Sequence, residues 1–94
     1  MTFTTYLKPR AERDLLEAIE WYEDRAKLGA ALYMEFGGLL NLLCESTLLF
    51  SQYEGDVRRA LLKRFPYAVY YEVQPSRLIV HAVLHMKRHP SSWR

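Results

Sequence analysis

The chain is poor in the residues that would by themselves mark a site. It has one cysteine, Cys44, in 94 residues. No internal disulfide can form, which excludes the small secreted domains that depend on such bridges. Cys44 lies among Leu42, Leu43 and Leu48, has no CxxC or CxxH partner, and reads as a small core residue in a reducing compartment. No run approaches the ~18 apolar residues of a membrane span. The start, MTFTTYLKPRAERD, lacks a basic opening, an apolar stretch and a cleavage site. No leader is therefore expected, and a cytoplasmic location is. Glycine is scarce: Gly37-Gly38 falls inside a helical stretch and Gly55 stands alone, so no loop cradles a phosphate. His81, His85 and His89 are spaced by four, but in a strand and tail with no Asp, Glu or Cys among them. Neither a metal nor another cofactor is expected. No Ser/His/Asp signature is present.

Acidic residues are almost missing from the last third. Residues 1–56 carry five Lys/Arg and ten Asp/Glu, a net −5. Residues 57–94 carry eight basic side chains and only Glu72, a net +7. The formal total of +2 conceals this split. Either the C-terminal part meets an anionic partner, or the two halves neutralise each other in the fold. Half of the residues are apolar and 26% are charged, an ordinary globular composition. The length predicts one domain over residues 1–94, with one modest core.

The pattern along the chain predicts six elements. Phe3 to Lys8 is β-branched and aromatic and reads as a strand. Pro9 suits the first turn of a helix. Ala11, Leu15, Ala18, Ile19 and Tyr22 then recur at helical spacing to about Arg25. Lys27-Leu28-Gly29 reads as a stop. A second helix follows from Ala30 to about Thr47, with Leu32, Phe36, Leu39, Leu40 and Leu43 on one face. Met34 and Leu42 broaden that stripe, so something besides the sheet is expected to cover the helix. Gly37 and Gly38 cost roughly 1 kcal/mol each relative to alanine there, unless another backbone approaches closely. Phe50 to Asp56 reads as a loop. Val57–Lys63, Tyr67–Val73 and Leu78–His85 read as three strands joined by short links. The expected fold is α+β: an N-terminal strand, a helical hairpin, and a three-stranded antiparallel meander with the helices on one sheet face.

Alternation along a strand assigns side chains to faces. Leu78, Val80, Ala82 and Leu84 form an apolar set and are expected toward the helices, with Ile79, His81, Val83 and His85 behind. Val69, Tyr71 and Val73 suit the core, leaving Ala68, Tyr70 and Glu72 outward. One of Arg58 and Arg59 must reach the helix-free face; alternation does not say which. There it would join Tyr70, His81 and His85 on a cationic and aromatic surface suited to a nucleic acid, a phosphate or a protein. If the chain cleaves RNA, His85, Arg58, Arg59 and Tyr70 are the candidates for proton transfer and phosphate binding. The wider candidate surface for a target is Arg58, Arg59, Lys63, Arg64, His81, His85, Lys87, Arg88 and Trp93. Trp93 either docks a partner or folds back over an apolar patch.

Taken together, Pro9-Arg10-Ala11, Asp14-Leu15-Glu17, Trp21-Tyr22-Glu23, Arg58-Arg59, Phe65-Pro66-Tyr67, Tyr70-Tyr71, Val83-Leu84-His85 and Arg88-His89-Pro90 with Trp93 resemble the RelE/ParE superfamily of type II toxin–antitoxin toxins. The order and spacing resemble its ParE-like, plasmid-stabilisation branch. The resemblance implies a cytoplasmic growth inhibitor with a cognate antitoxin whose C-terminal segment wraps it as a hetero-oligomer. It implies DNA gyrase as the target in the ParE-like case, or ribosome-dependent cleavage of mRNA in the RelE-like case, or an inactive regulatory partner. Departures from the nuclease pattern weigh toward the first. Pro66-Tyr67 stands where nuclease members often have a further arginine, and the arginine expected near His85 is either replaced by Leu84 or displaced to Arg88. An amphipathic antitoxin helix is expected in a groove formed by Trp21, Tyr22, Leu32, Phe36, Leu39 and Leu40.

Overall fold

The computed structural model describes residues 4–48 and 50–87. The elements are β1 (Thr4–Leu7), α1 (Pro9–Ala26), α2 (Gly29–Glu45), β2 (Gln52–Glu54), β3 (Val57–Leu61), β4 (Tyr67–Val73) and β5 (Arg77–His85). They form a helical hairpin packed on a 5-stranded sheet of order β1-β5-β4-β3-β2. The meander β3-β4-β5 is antiparallel, and β1 lies parallel to β5 through Leu7 and Val80. No helix among the described residues is long and apolar enough to cross a membrane.

Local chemistry sets the hairpin joint. Pro9 opens α1, where a missing N–H costs nothing. The helix ends with Lys27 in the left-handed region at φ 58°, and Lys27 and Leu28 donate their N–H groups back to Glu23 and Tyr22. The residue that turns the chain is therefore lysine. Gly29 serves close approach instead: a Cβ there would lie 3.0 Å from the Ile19 carbonyl oxygen. Glu23 Oε1 accepts the Gly29 N–H at 3.2 Å, so α1 caps the start of α2.

The segment expected to be a loop over Phe50–Asp56 contains the short strand β2. It is held by a hairpin whose turn uses Gly55 at φ 56°. Three polar or aromatic residues give no strand signal alone; the pairing with β3 makes one. The next strand ends at Leu61 rather than Lys63. Leu62 and Phe65 drop from the turn into a core cluster with Ala18 and Leu32. The main cluster joins Ala11, Leu15, Phe36 and Leu43 of the helices to Val69, Tyr71, Leu78, Val80 and Val83 of the sheet. Cys44 is half-buried, with its Sγ 3.5 Å from Thr5 Oγ1.

The face assignment of β5 holds only for its first half. Tyr71 pairs with Val80 but Tyr70 pairs with Ala82, so His81 is an extra residue that breaks the alternation. Leu78 and Val80 face the helices, as expected. Beyond the bulge, Val83 and His85 turn to that side. Ala82 and Leu84 then pack on the opposite face with Ala68 and Tyr70. His81 Nε2 lies 3.0 Å from Glu72 Oε1, and this hydrogen bond fills the bulge.

Candidate functional site

The bulge separates residues that alternation had put together. His85 sits on the helix side, edge-on to Tyr67 with ring centroids 5.3 Å apart. Tyr70 is on the other face but only 2% exposed, packed against Tyr53 at 5.3 Å. The register settles the two arginines. Arg58 lies opposite Tyr71 on the helix side, where its Nη1 donates to the Phe50 carbonyl at 2.6 Å. Arg59 lies opposite Tyr70 on the helix-free face, with its guanidinium 5.9 Å from the Tyr53 ring. Arg59 and Tyr53 border a cavity of about 420 Å³ lined also by Phe50, Ser51, Gln52 and Leu61. The expected group of one arginine with Tyr70, His81 and His85 on one open face is not formed. His85 is on the wrong side, and the phenol is buried.

The other cations divide between the two ends of the sheet. Lys63 and Arg64 occupy the β3–β4 turn, where Glu35 of α2 accepts both of their backbone N–H groups. The Met86 N–H donates to the Pro66 carbonyl at 2.7 Å and brings Lys87 to the same end. Arg77 is at the far end, 5.6 Å from the Tyr6 ring. Arg88 and Trp93 fall outside the described residues.

His85 is restricted as a base. Its Nδ1 accepts the Lys87 N–H at 3.1 Å, so the neutral ring carries its proton on Nε2. Neither nitrogen is then a vacant acceptor for a hydroxyl proton. Glu72, which takes the hydrogen bond from His81, has its carboxyl held below the ordinary 4.5 chiefly by that bond. Burial pushes the Tyr71 phenol above its ordinary 10.0, against the lowering effect of the nearby Arg58 charge. Among the described residues, no group of three or more His, Cys, Asp or Glu is placed to hold a metal ion.

His85 instead borders a cleft of about 320 Å³ between α1 and the ends of β4 and β5. Asp14, Glu17, Ala18 and Trp21 supply the helix side; Tyr67 and Val83 supply the sheet side. An edge-to-face series of rings runs through it. Tyr22 lies 4.9 Å from both Trp21 and Phe65, and 6.3 Å from Tyr67. Trp21 is 48% exposed, and the Arg25 guanidinium stands 4.5 Å from its ring. Asp14 is the structural member of the cleft. One carboxylate oxygen pairs with Arg10 Nε at 3.1 Å, and the other accepts the Val83 N–H at 3.2 Å. Sequence reasoning missed Asp14, Glu17 and Tyr67 as site residues. They lay within motifs that carried the resemblance, but nothing local gave them a shared cavity.

The helix residues expected to line a groove separate by burial. Leu32 and Phe36 are 1% and 3% exposed and belong to the protein's own core, so they present no surface. Leu39 and Leu40 are half-buried against it. The exposed apolar surface of the hairpin is Leu16, Trp21, Tyr33, Met34 and Leu42. A Cβ on Gly37 or Gly38 would meet nothing within 4 Å, so no described part of the chain makes the close approach their size permits.

A family model described as the ParE toxin of the type II toxin–antitoxin system parDE matches residues 6–90. Among solved structures, the chain is similar to one from the chromosomal ParDE TA system of P. aeruginosa. That match has a TM-score of 0.76 and 12% identity, covering 89% of this chain and 96% of the other. It is also similar to a chain of the toxin–antitoxin complex RelBE2 from Mycobacterium tuberculosis. There the TM-score is 0.62 and the identity 18%, over 90% and 99% of the two chains. At these identities the structural likeness bears on the fold. None of the curated proteins compared with the chain matches it.

Proposed function

The chain belongs to the ParE toxin family of type II toxin–antitoxin systems, and from this we propose that it inhibits growth by binding a protein target rather than by cutting RNA. The observation that carries this reading is the dispersal of the candidate nuclease set. His85 faces the helix side with its Nδ1 taken up by the Lys87 N–H, Tyr70 is buried, Arg58 is held by the Phe50 carbonyl on the helix side, and Arg59 lies on the opposite face with only the buried Tyr70 beside it. General acid–base cleavage needs such groups within reach of one phosphate. We take DNA gyrase as the target, as the resemblance to the ParE-like branch implies. The cations at the turn end, Lys63, Arg64 and Lys87, together with Arg59, are the surface we assign to it; Arg88 and Trp93 continue the same assignment.

A cognate antitoxin covers the exposed apolar side of the hairpin in this reading. On α2, Tyr33, Met34 and Leu42 are exposed apolar side chains, Met34 at 73%. Exposed apolar side chains of this size suit a protein partner. Inducible expression of the chain alone tests the target. DNA synthesis is expected to stop before translation, purified protein to inhibit gyrase supercoiling, and His85→Ala to retain both effects. Early arrest of translation, with mRNA cleavage abolished by His85→Ala, would instead establish a nuclease.

A further inference from the structure

β3 outruns the strand that covers it. β2 lies against it only as far as Gln52, opposite Arg58. The Ser51 carbonyl then accepts the Arg59 N–H at 3.3 Å. In an antiparallel strand a residue's N–H and C=O point the same way, and the direction alternates along the chain. Arg59 turns its main chain to the β2 side, so Leu61, two residues on in unbroken register with β4, does the same. Among the described residues no strand lies opposite Leu61 on that side. Its N–H and C=O form a short open edge, beside a leucine side chain that is 44% exposed.

The cavity of about 420 Å³ lies at this edge. Phe50, Tyr53 and Leu61 give it apolar walls, and Arg59 is the charged residue among those lining it. Arg58 holds the rim in place through the Phe50 carbonyl. Arg59 is not used in that way: its guanidinium stands 5.9 Å from the Tyr53 ring, and no carboxylate of the described residues pairs with it. Lys63 and Arg64 follow in the turn beyond, where Glu35 is taken up by their main-chain N–H groups. A guanidinium over an apolar cavity selects a carboxylate carried close to an apolar side chain. A nucleic acid would need a track of cations along its backbone and would leave the main-chain groups of Leu61 unused. An extended polypeptide uses both groups.

We propose that this edge and cavity receive an extended segment of the protein target that carries an acidic and an apolar residue two positions apart. The segment's main chain pairs with Leu61 in the row that β2 leaves unfinished. Its apolar side chain, aromatic or leucine-sized, fills the cavity, and its carboxylate pairs with Arg59. Side chains two apart share one face of an extended strand, so a single short segment supplies both groups. That the partner is the growth-inhibition target rests on the reading above; the chemistry of the edge does not.

Two measurements test this. The full-length protein is titrated, followed by NMR, with a capped tripeptide of aspartate, alanine and phenylalanine. Two controls replace the aspartate by asparagine or the phenylalanine by alanine. The first peptide is expected to shift the Leu61 amide, the Arg59 side-chain N–H and the Tyr53 ring, and both controls to do so much more weakly. Arg59→Gln is expected to reduce the aspartate response to the asparagine level. No response, equal responses to aspartate and asparagine, or a response untouched by Arg59→Gln overturns the proposal. So does a uridine dinucleotide that shifts the same signals more strongly than the peptide, which would make the surface one for nucleic acid. The comparison among peptides uses the wild-type chain, so it stands whether or not the variant folds. In the second measurement, gyrase supercoiling is assayed with wild type and Arg59→Gln. Inhibition weaker by about tenfold is expected for the variant. Equal inhibition overturns the docking proposal while leaving the target reading intact. Absence of inhibition by wild type overturns the target reading, and the peptide titration alone then decides the edge.

Discussion

Asp14 joins the fold to the cleft, and removing it gives a sharp test of the physical account. Its side chain is 8% exposed, with one oxygen on Arg10 and the other on the Val83 N–H. Asp14→Ala leaves a buried amide without its acceptor. That costs about 1–3 kcal/mol, and loss of the helix ion pair adds about 0.3–0.5 kcal/mol. A total near 2–3 kcal/mol is a large share of the roughly 5–14 kcal/mol expected for a domain of this length. It corresponds to a fall in Tm of about 8–20 °C. Asp14→Asn keeps a neutral carbonyl acceptor for Val83 and loses the ion pair, so it is expected to cost about 1 kcal/mol or less. Urea denaturation followed by circular dichroism measures both, with an unchanged slope expected. The reasoning fails if the alanine and asparagine variants lose the same stability, because the amide acceptor would then contribute nothing. It also fails if alanine costs under about 0.5 kcal/mol.

Three further outcomes follow from the geometry. Gly37→Ala and Gly38→Ala place a methyl in open space within a helix; each is expected to raise stability by about 0.5–1 kcal/mol, and a lower Tm would show a neighbour that the fold does not reveal. Glu72 is held below 4.5 by His81, so its contribution is present above the unfolded pKa and lost as pH falls through the lower folded value; stability measured downward from pH 4.5 should fall less steeply in Glu72→Gln. Tyr71 has a raised pKa, so its contribution is present below 10.0 and lost as pH rises through the folded value. Tyr71→Phe should lose about 1 kcal/mol at neutral pH, with the hydrogen bond to the Thr47 carbonyl, yet decline less above pH 10.

Much of the fold was legible because its periodicities are local. The apolar residues of α1 recur at helical spacing, Pro9 marks its start, and β4 stands out as a β-branched and aromatic run between two turns. Those signals gave the element order and the bounds of β4 without reference to the rest of the chain. The three polar and aromatic residues of β2 carry no such period, and they became a strand only through the β3 edge. Likewise, Leu62 and Phe65 look like part of a strand and its turn until the helix beneath them supplies a place to be buried.

Composition and motif order, which belong to the chain alone, determined the α+β class, the concentration of positive charge after residue 56, and the family. Tertiary structure decided who meets whom. A single extra residue, His81, shifts every later side chain of β5 to the opposite face, and strand alternation has no memory that could announce it. That shift moved His85 from the expected cationic surface into a cleft with Trp21 and Glu17. The pairing register separated Arg58 from Arg59, and only the packed helix showed that Leu32 and Phe36 are core while Met34 remains exposed. Residue type sets what a side chain can do; the neighbours that burial and register impose set what is left for it to do.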